Sequence, residues 1–291
     1  MAIKTRHHLT TRDHEILTAL DRTPLSAGQL LTLSCTFATP FGSLRMVRER
    51  LQSLCSAGWV RSARYATTSQ GAGQNYYRLS RTGYGILYGE RAAPPTKRYF
   101  SPLSLARQHH TRSLADFIVH TIVTAHRGDI AFTDFYRENT LRLTVGSECL
   151  YPDCSFQLVM RDGRTFNYFV EVDNFSERIR SMKDADSWQR KIRLYEDLQS
   201  GSPSRFRVLV VPTRSSVRLH GILALAATLA SNPQRSLFLG VPLPDYLSES
   251  DALTAPIFLD HHRRAVSLLP AAQSSAGNQN VGAASEALQA A

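Results

Sequence analysis

Two apolar runs a short way apart each deliver carboxylates: Tyr151-Pro152-Asp153 opens one, and Phe169-Val170-Glu171-Val172-Asp173 closes the other. A carboxylate in a half-buried strand costs free energy unless it is paired or holds a cation. Strand alternation places Phe169, Glu171 and Asp173 on one face and Val170 and Val172 on the other. Asp153 follows Pro152, and proline is tolerated at a strand's first residue or on an edge. If the two strands pair, Asp153 and Glu171 reach one Mg²⁺ (or Mn²⁺), a hard cation that takes oxygen ligands and keeps several waters. That arrangement activates water against a phosphodiester. Lys191 and Tyr195 stand four residues apart on a following helix and face one spot. A lysine there stabilises developing phosphorane charge or orients the attacking water.

Each of these features has a plainer reading. A Pro-Asp turn and a Glu-x-Asp at a strand end also occur as solvated loop ends. Lys191 has Arg190 and Arg193 beside it, so a solvated basic face is its alternative. His109-His110, near the start of a long helix, could orient a nucleotide but reads rather as an ordinary polar turn, and His261-His262-Arg263-Arg264 as surface. Cys35, Cys55, Cys149 and Cys154 lack CxxC spacing and lie in apolar-rich segments. Reduced, mostly buried thiols are expected of them, with no zinc or disulfide role.

The charge is segregated. The net charge is +10 over 291 residues, yet residues 1–112 hold 16 Lys/Arg against 5 Asp/Glu, and residues 113–270 hold 18 of each. A basic front half joined to a neutral back half implies a polyanion-binding module attached to something else. Solubility alone would not require such segregation. The sequence contains no apolar stretch of membrane-spanning length. Its start lacks the apolar core of a secretory signal, so a cytoplasmic protein without membrane partners is expected.

The first ~90 residues read as three helices and a β-ribbon. Thr11 is placed as cap of a first helix running to about Leu20. Ser26-Ala27-Gly28-Gln29 has capping-box spacing, with Leu25 and Leu30 as its hydrophobic staple. A third helix starts near Ser43 and stops at Gly58, and Leu44, Val47, Leu51 and Leu54 form its buried stripe. Arg45, Arg48, Glu49 and Gln52 project from the other side. A strand from Trp59 to Arg64, a loop over 66–74 and a strand from Asn75 to Leu79 follow. The phrase LQSLCSAGWVRSARY…NYYRLSRTGYGIL resembles the recognition helix and wing of winged helix-turn-helix proteins, over residues 8–90. The resemblance implies double-stranded DNA as partner. Arg45, Arg48 and Gln52 would read base edges in the major groove, and Arg61, Arg64, Arg78 and Arg81 would meet phosphates. Winged helices also mediate protein contacts, in which case these residues are solvated.

After a short linker, a helix is expected over about Ser104–His126, then strands near 130–136, 150–160 and 165–172. A polar helix over 185–198, a buried strand over 207–211, a helix over 216–229 and a strand over 237–241 complete the pattern. An α/β (α+β) class follows: a mixed sheet flanked by helices on both faces. The Ala/Ser/Gly-rich segment 270–291 reads as a disordered tail. The order of elements, with Glu138, the Pro-Asp turn and Glu-x-Asp in sequence, resembles the restriction-endonuclease-like PD-(D/E)XK superfamily. There the Asp of the turn and the Glu of the next strand bind Mg²⁺. Asp153 and Glu171 match. Position 173 holds Asp where the superfamily has Lys, and Lys191 with Tyr195 resembles the Gln-x-x-x-Tyr helix of RecB-type nucleases. Glu138 takes the place of an extra acidic residue common in the superfamily.

The phrases FYREN, LYPDCSFQLV, NYFVEVDNFSERI, KIRLYEDL and SRFRVLVVPTRSSVRLHGILALAATLA, in that order, resemble the replication-relaxation family of plasmid and mobile-element proteins. The resemblance implies a winged helix over 1–92 and a nuclease-like domain over 98–269. It further implies work on DNA replication or relaxation in association with the nucleoid or a plasmid. The domain would be either a Mg-dependent endonuclease or nickase, or a scaffold in a non-catalytic regulator. Replication or mobilisation proteins and a second copy of the chain are the further partners this reading allows.

Overall fold

The computed structural model describes residues 8–66, 73–93, 95–175, 177–181 and 187–270. The tail expected to be disordered, apart from Pro270, and most of the 66–74 loop lie outside the described residues.

Helix α1 spans Thr11–Arg22 and its cap is Thr10, one residue earlier than the sequence reading put it. The reason is reciprocity. Thr10 Oγ1 accepts from Asp13 N at 3.2 Å while Asp13 Oδ2 accepts from Thr10 N at 2.8 Å, a pairing that needs an acceptor three residues on. Strand β1 (Leu25–Ser26) leads into α2 (Ala27–Leu33), where Ser26 and Gln29 form the expected capping box. Helix α3 (Leu44–Ser56) is capped by Ser43, and Gly58 turns the chain after it with φ 77°. Val47, Leu51 and Leu54 are buried along its inner face, while Leu44, expected in the same stripe, is half-buried at the helix start and packs against the same cluster. Strands β2 (Val60–Arg64) and β3 (Asn75–Leu79) pair antiparallel, with β1 on the other edge of β3. A fourth helix, α4 (Arg81–Tyr88), was not anticipated; its two glycines lower helix propensity, and Ser80 caps it.

Helix α5 (Leu105–Arg127) begins the second half. Strand β4 (Ala131–Tyr136) follows, then a β5–β6 hairpin (Leu143–Val145, Glu148–Leu150), β7 (Cys154–Val159) and β8 (Thr165–Asp173). The strand expected over 150–160 is thus interrupted at Pro152, which has no N–H for a ladder. The chain continues through α6 (Trp188–Gly201), β9 (Phe206–Pro212), α7 (Ser216–Leu229), β10 (Phe238–Gly240), α8 (Leu243–Ser248), β11 (Phe258–Asp260) and β12 (Ala265–Val266). The sheet order is β12-β11-β10-β9-β8-β7-β4. Strands β8, β9 and β10 run parallel and the other neighbours antiparallel. The mixed α/β class follows as expected.

Each sheet face has its own apolar layer. Val170, Val172, Leu209 and Val211 pack with Phe117 of α5 and Tyr246 of α8. On the other side Val208 and Val210 pack with Ile192 and Tyr195 of α6 and Leu219 and Leu223 of α7. The first layer is continuous with the front half, since Leu30, Leu33, Val47 and Leu51 belong to the same cluster. Polar contacts reinforce that junction. Asp21 Oδ1 accepts from Tyr99 Oη and Arg137 Nη1, each at 2.7 Å, and Asp21 Oδ2 from Tyr88 Oη at 2.8 Å. Gln29 Nε2 donates to Asp116 Oδ1 at 2.7 Å. Among the described residues no helix is long and apolar enough to cross a membrane.

Candidate functional site

The carboxylates gather at one end of the large sheet, where β8 and β9 finish and β7 starts. In open α/β sheets this carboxyl-terminal end of parallel strands is where ligands bind. Asp153 is tied to β8 by accepting from Val172 N at 2.7 Å. Its other oxygen lies 3.1 Å from His110 Nε2. Glu171, 2 % exposed, receives Lys191 Nζ at 2.8 Å on one oxygen and Tyr195 Oη at 2.6 Å on the other. Lys191 Nζ also reaches Glu177 Oε1 at 2.7 Å. The i, i+4 spacing on α6 therefore does aim Lys191 and Tyr195 at one carboxylate, and Lys191 is no solvated face.

Asp173, also 2 % exposed, is held otherwise. Its Oδ1 accepts from Arg218 Nη2 at 2.8 Å and Trp188 Nε1 at 3.1 Å, and its Oδ2 pairs with Arg218 Nε. The same guanidinium donates to the carbonyl of Glu177. Glu138 pairs with Arg107 of α5. One ligand atom each from His110, Glu138 and Asp153 lies within 4.8 Å of the others, a geometry able to surround a cation. Glu171 is not in that group, because both its oxygens face α6.

The electrostatics follow from burial and pairing. Burial pushes the Glu171 carboxyl above its ordinary value, and the Lys191 charge only partly offsets this. For Asp153 burial acts in the same direction but is outweighed by the His110 hydrogen bond and charge, by Lys191 and by the Val172 N–H, so its carboxyl lies below the usual range. Burial carries Glu177 up to about 7 against the opposing pull of Lys191. Burial disfavours the Lys191 ammonium, yet Glu171, Glu177 and Asp153 more than compensate and hold it charged. His110 is raised too, burial being overcome by Asp153. The end of the sheet is thus a cluster of acidic groups threaded with the chain's own cations.

Several contributors escaped the sequence reading. His110, read as a polar turn, faces Asp153; its spacing from Arg107 and Leu114 on one helix face was the available signal. Glu177 and Arg218 had no motif to mark them. In the front half Arg45, Arg48, Gln52, Arg61, Arg64 and Arg81 are exposed, and Arg45 pairs with Glu49 at 2.7 Å. Arg78 differs: it is half-buried and its Nη1 donates to the carbonyl of Phe100. Arg81 opens α4, not a wing strand, and stacks 5.2 Å from the Phe100 ring. Among the cysteines only Cys154 is buried while Cys35 is exposed, so the expectation of mostly buried thiols is corrected. His261 is buried as well, against the surface expected for it.

No curated protein and no solved structure matches the chain. The family model described as replication-relaxation matches residues 17–207, from α1 through the start of β9. That span includes the exposed basic helix α3 and each of the sequence-predicted carboxylates, and the chain belongs to the replication-relaxation family.

Proposed function

We propose that this protein is a DNA-binding factor of plasmid or mobile-element replication or relaxation whose front half docks on duplex DNA as a winged helix. The sheet-end cluster then cleaves or nicks a DNA strand with Mg²⁺ or Mn²⁺. The observation that carries the second part is the Lys191 ammonium bridging Glu171 and Glu177 beside Asp153. The first part is supported by the order α1, α2, α3, β2, β3 and by the exposed Arg45, Arg48 and Gln52 on α3.

The donor set suits a divalent cation: His110, Glu138 and Asp153 supply one imidazole nitrogen and two carboxylates at mutual distances within 4.8 Å. Asp153 and Glu138 would hold the cation, which when bound lowers the pKa of its water and neutralises phosphate charge. Lys191 keeps a positive charge where an attacked phosphodiester becomes more negative. Tyr195 and Lys191 fix the Glu171 carboxylate, so that its orientation is set before substrate arrives. Arg218 holds both Asp173 and the Glu177 backbone, anchoring the segment that carries Glu177 to α7.

One observation favours a second reading, a non-catalytic regulator. Each clustered carboxylate already has a cation of the chain beside it: Asp153 with His110, Glu171 with Lys191, Asp173 with Arg218 and Glu138 with Arg107. Nicking of supercoiled plasmid by the purified protein in Mg²⁺ or Mn²⁺ separates the two. Metal-dependent nicking abolished by Asp153→Asn supports the enzyme. Duplex binding with no nicking by either protein leaves the regulator.

A further inference from the structure

Exposed aromatic rings are concentrated beside the acidic site. Among the described residues the exposed aromatics are Tyr88, Tyr136, Tyr151 and Phe175, and Tyr88 spends its hydroxyl on Asp21. The other three each stand two residues from a site carboxylate: Tyr136 before Glu138, Tyr151 before Asp153 and Phe175 after Asp173. They are 48 %, 48 % and 41 % exposed. Single exposed rings are ordinary, but rings gathered at a polar site mark an interaction surface.

The backbone around them is shaped accordingly. A register shift between Thr133 and Tyr136, with Asp134 at φ 46°, interrupts the β4–β7 ladder just before Tyr136. Such bulges re-aim side chains next to sites. The β5–β6 pairing of Leu143 with Leu150 returns the chain, so the segment after Tyr136 and the segment holding Tyr151 leave and re-enter the sheet together. Phe175 adopts φ 68°, a left-handed conformation that a bulky residue rarely takes. Its ring is backed by the Arg218 guanidinium, 5.2 Å from the centroid. Exposed cations stand in two of these segments, Arg142 before β5 and Arg180 beyond Phe175, and a third, Arg214, follows β9, whose last residue Pro212 pairs with Asp173.

We propose that the sheet end binds single-stranded DNA, with bases stacked on Tyr136, Tyr151 and Phe175 and phosphates met by Arg142, Arg180 and Arg214. In a duplex the base faces are already stacked on one another, so rings placed this way have no partner there. Unpaired bases offer a π-face whatever their sequence, and cations beside the rings track the backbone. The inference rests on the reading that this site acts on DNA and adds that its substrate strand is unpaired. The duplex is then left to α3, and an unpaired strand of the same molecule goes to the sheet.

The test is fluorescence anisotropy of the full chain with a dT₂₀ oligonucleotide and, separately, with a hairpin duplex. Alanine at Tyr136, Tyr151 or Phe175 should each weaken dT₂₀ binding on the order of tenfold, as for loss of one base stack, and leave duplex affinity unchanged. Tyr151→Phe should retain the binding, because the ring and not the hydroxyl stacks. A 2-aminopurine placed in the oligonucleotide should be quenched on binding by wild type and less so by Tyr151→Ala. Absence of dT₂₀ binding, alanine variants that bind it unchanged, parallel loss of duplex affinity, or tighter binding of rU₂₀ than of dT₂₀ would each overturn the proposal. Ring-dependent dT₂₀ binding by a protein that never nicks would sustain it and remove only the nuclease reading.

Discussion

Lys191 Nζ lies 2.8 Å from Glu171 Oε2, joining a helix residue to a strand residue twenty positions earlier. The cation at this carboxylate therefore comes from α6, and position 173, two residues beyond Glu171, is free to carry the opposite charge. Asp173 uses that freedom to bind Arg218 and Trp188, which ties the end of β8 to both α6 and α7. Charge that one family pattern concentrates on a strand is here divided among three elements.

The proton balance around Lys191 gives a pH prediction. One ammonium serves two carboxylates, and Glu177 is the less buried, with its carboxyl raised from 4.5 to about 7. A raised acid favours the protonated fold: its stability contribution is full below pH 4.5 and is lost as pH rises through about 7. Glu177→Gln removes the titration. Urea unfolding of wild type and variant should therefore diverge between pH 4.5 and 7, with the variant gaining relative stability on the order of 2 kcal/mol. Parallel stability curves across that window would show that Glu177 titrates normally.

Asp13 is fully buried and serves twice, as the third residue of the α1 capping box and as partner of Arg50 on α3. Arg50→Met should destabilise the protein by about 2–3 kcal/mol. This is less than the 3–5 kcal/mol for breaking a fully buried pair, because Arg50 is 32 % exposed. Burial raises the Asp13 carboxyl, but the Arg50 and Thr10 hydrogen bonds outweigh it and hold it below 3.8. Its contribution is therefore present above pH 3.8 and lost as pH falls below that, so wild type and Arg50→Met should converge in stability in strong acid. Chemical denaturation at pH 7 and pH 2.5 measures both effects.

Arg48 and Arg78 should separate a DNA contact from a structural one. Arg48 is exposed on α3, whereas Arg78 turns inward to the Phe100 carbonyl. If α3 lies on duplex DNA, Arg48→Ala should weaken duplex binding. Where the lost contact is to a phosphate, the salt slope should also fall by about 1. Arg78→Ala should lower thermal stability and leave the slope unchanged. Equal salt slopes for all three proteins, with equal affinities, would remove α3 from the DNA interface.

Much of this was legible because it is local. The Ser26–Gln29 box, the α3 stripe and the alternation of Phe169, Val170, Glu171 and Val172 depend on periodicity or on residues three or four apart, and each took its expected place. Thr10 displaced Thr11 because reciprocity with Asp13 decides the cap. What stayed hidden was long-range. His110 meets Asp153 only because α5 packs against the sheet, and Arg218 meets Asp173 only after the β9 crossover. Arg78 looked like a wing contact until the segment around Phe100 folded back over it. Pairings of this kind depend on topology, and no short motif encodes them.

The last prediction separates enzyme from scaffold at Lys191. Lys191→Met leaves Glu171 buried with Tyr195 alone to satisfy it, so it should cost about 3–5 kcal/mol of stability. A fall in nicking by that variant would therefore be ambiguous. Adding Glu171→Gln removes the stranded charge while Tyr195 keeps a hydrogen-bond partner, and the double variant should recover most of the lost stability. With Glu171→Gln alone as the fourth protein, the double-mutant cycle gives the coupling energy of the pair. If Lys191 stabilises charge in the transition state, the stable double variant should still nick plasmid roughly 10²–10³-fold more slowly than Glu171→Gln alone. Its duplex affinity should be unaltered, since α3 is untouched. If the cluster only braces the fold, the stability cycle will close in the same way while wild type and double variant are equally unable to nick. A double variant that nicks as fast as Glu171→Gln alone would sink the role of Lys191 in cleavage, and the search for the stabilising cation would pass to Arg107 and His110.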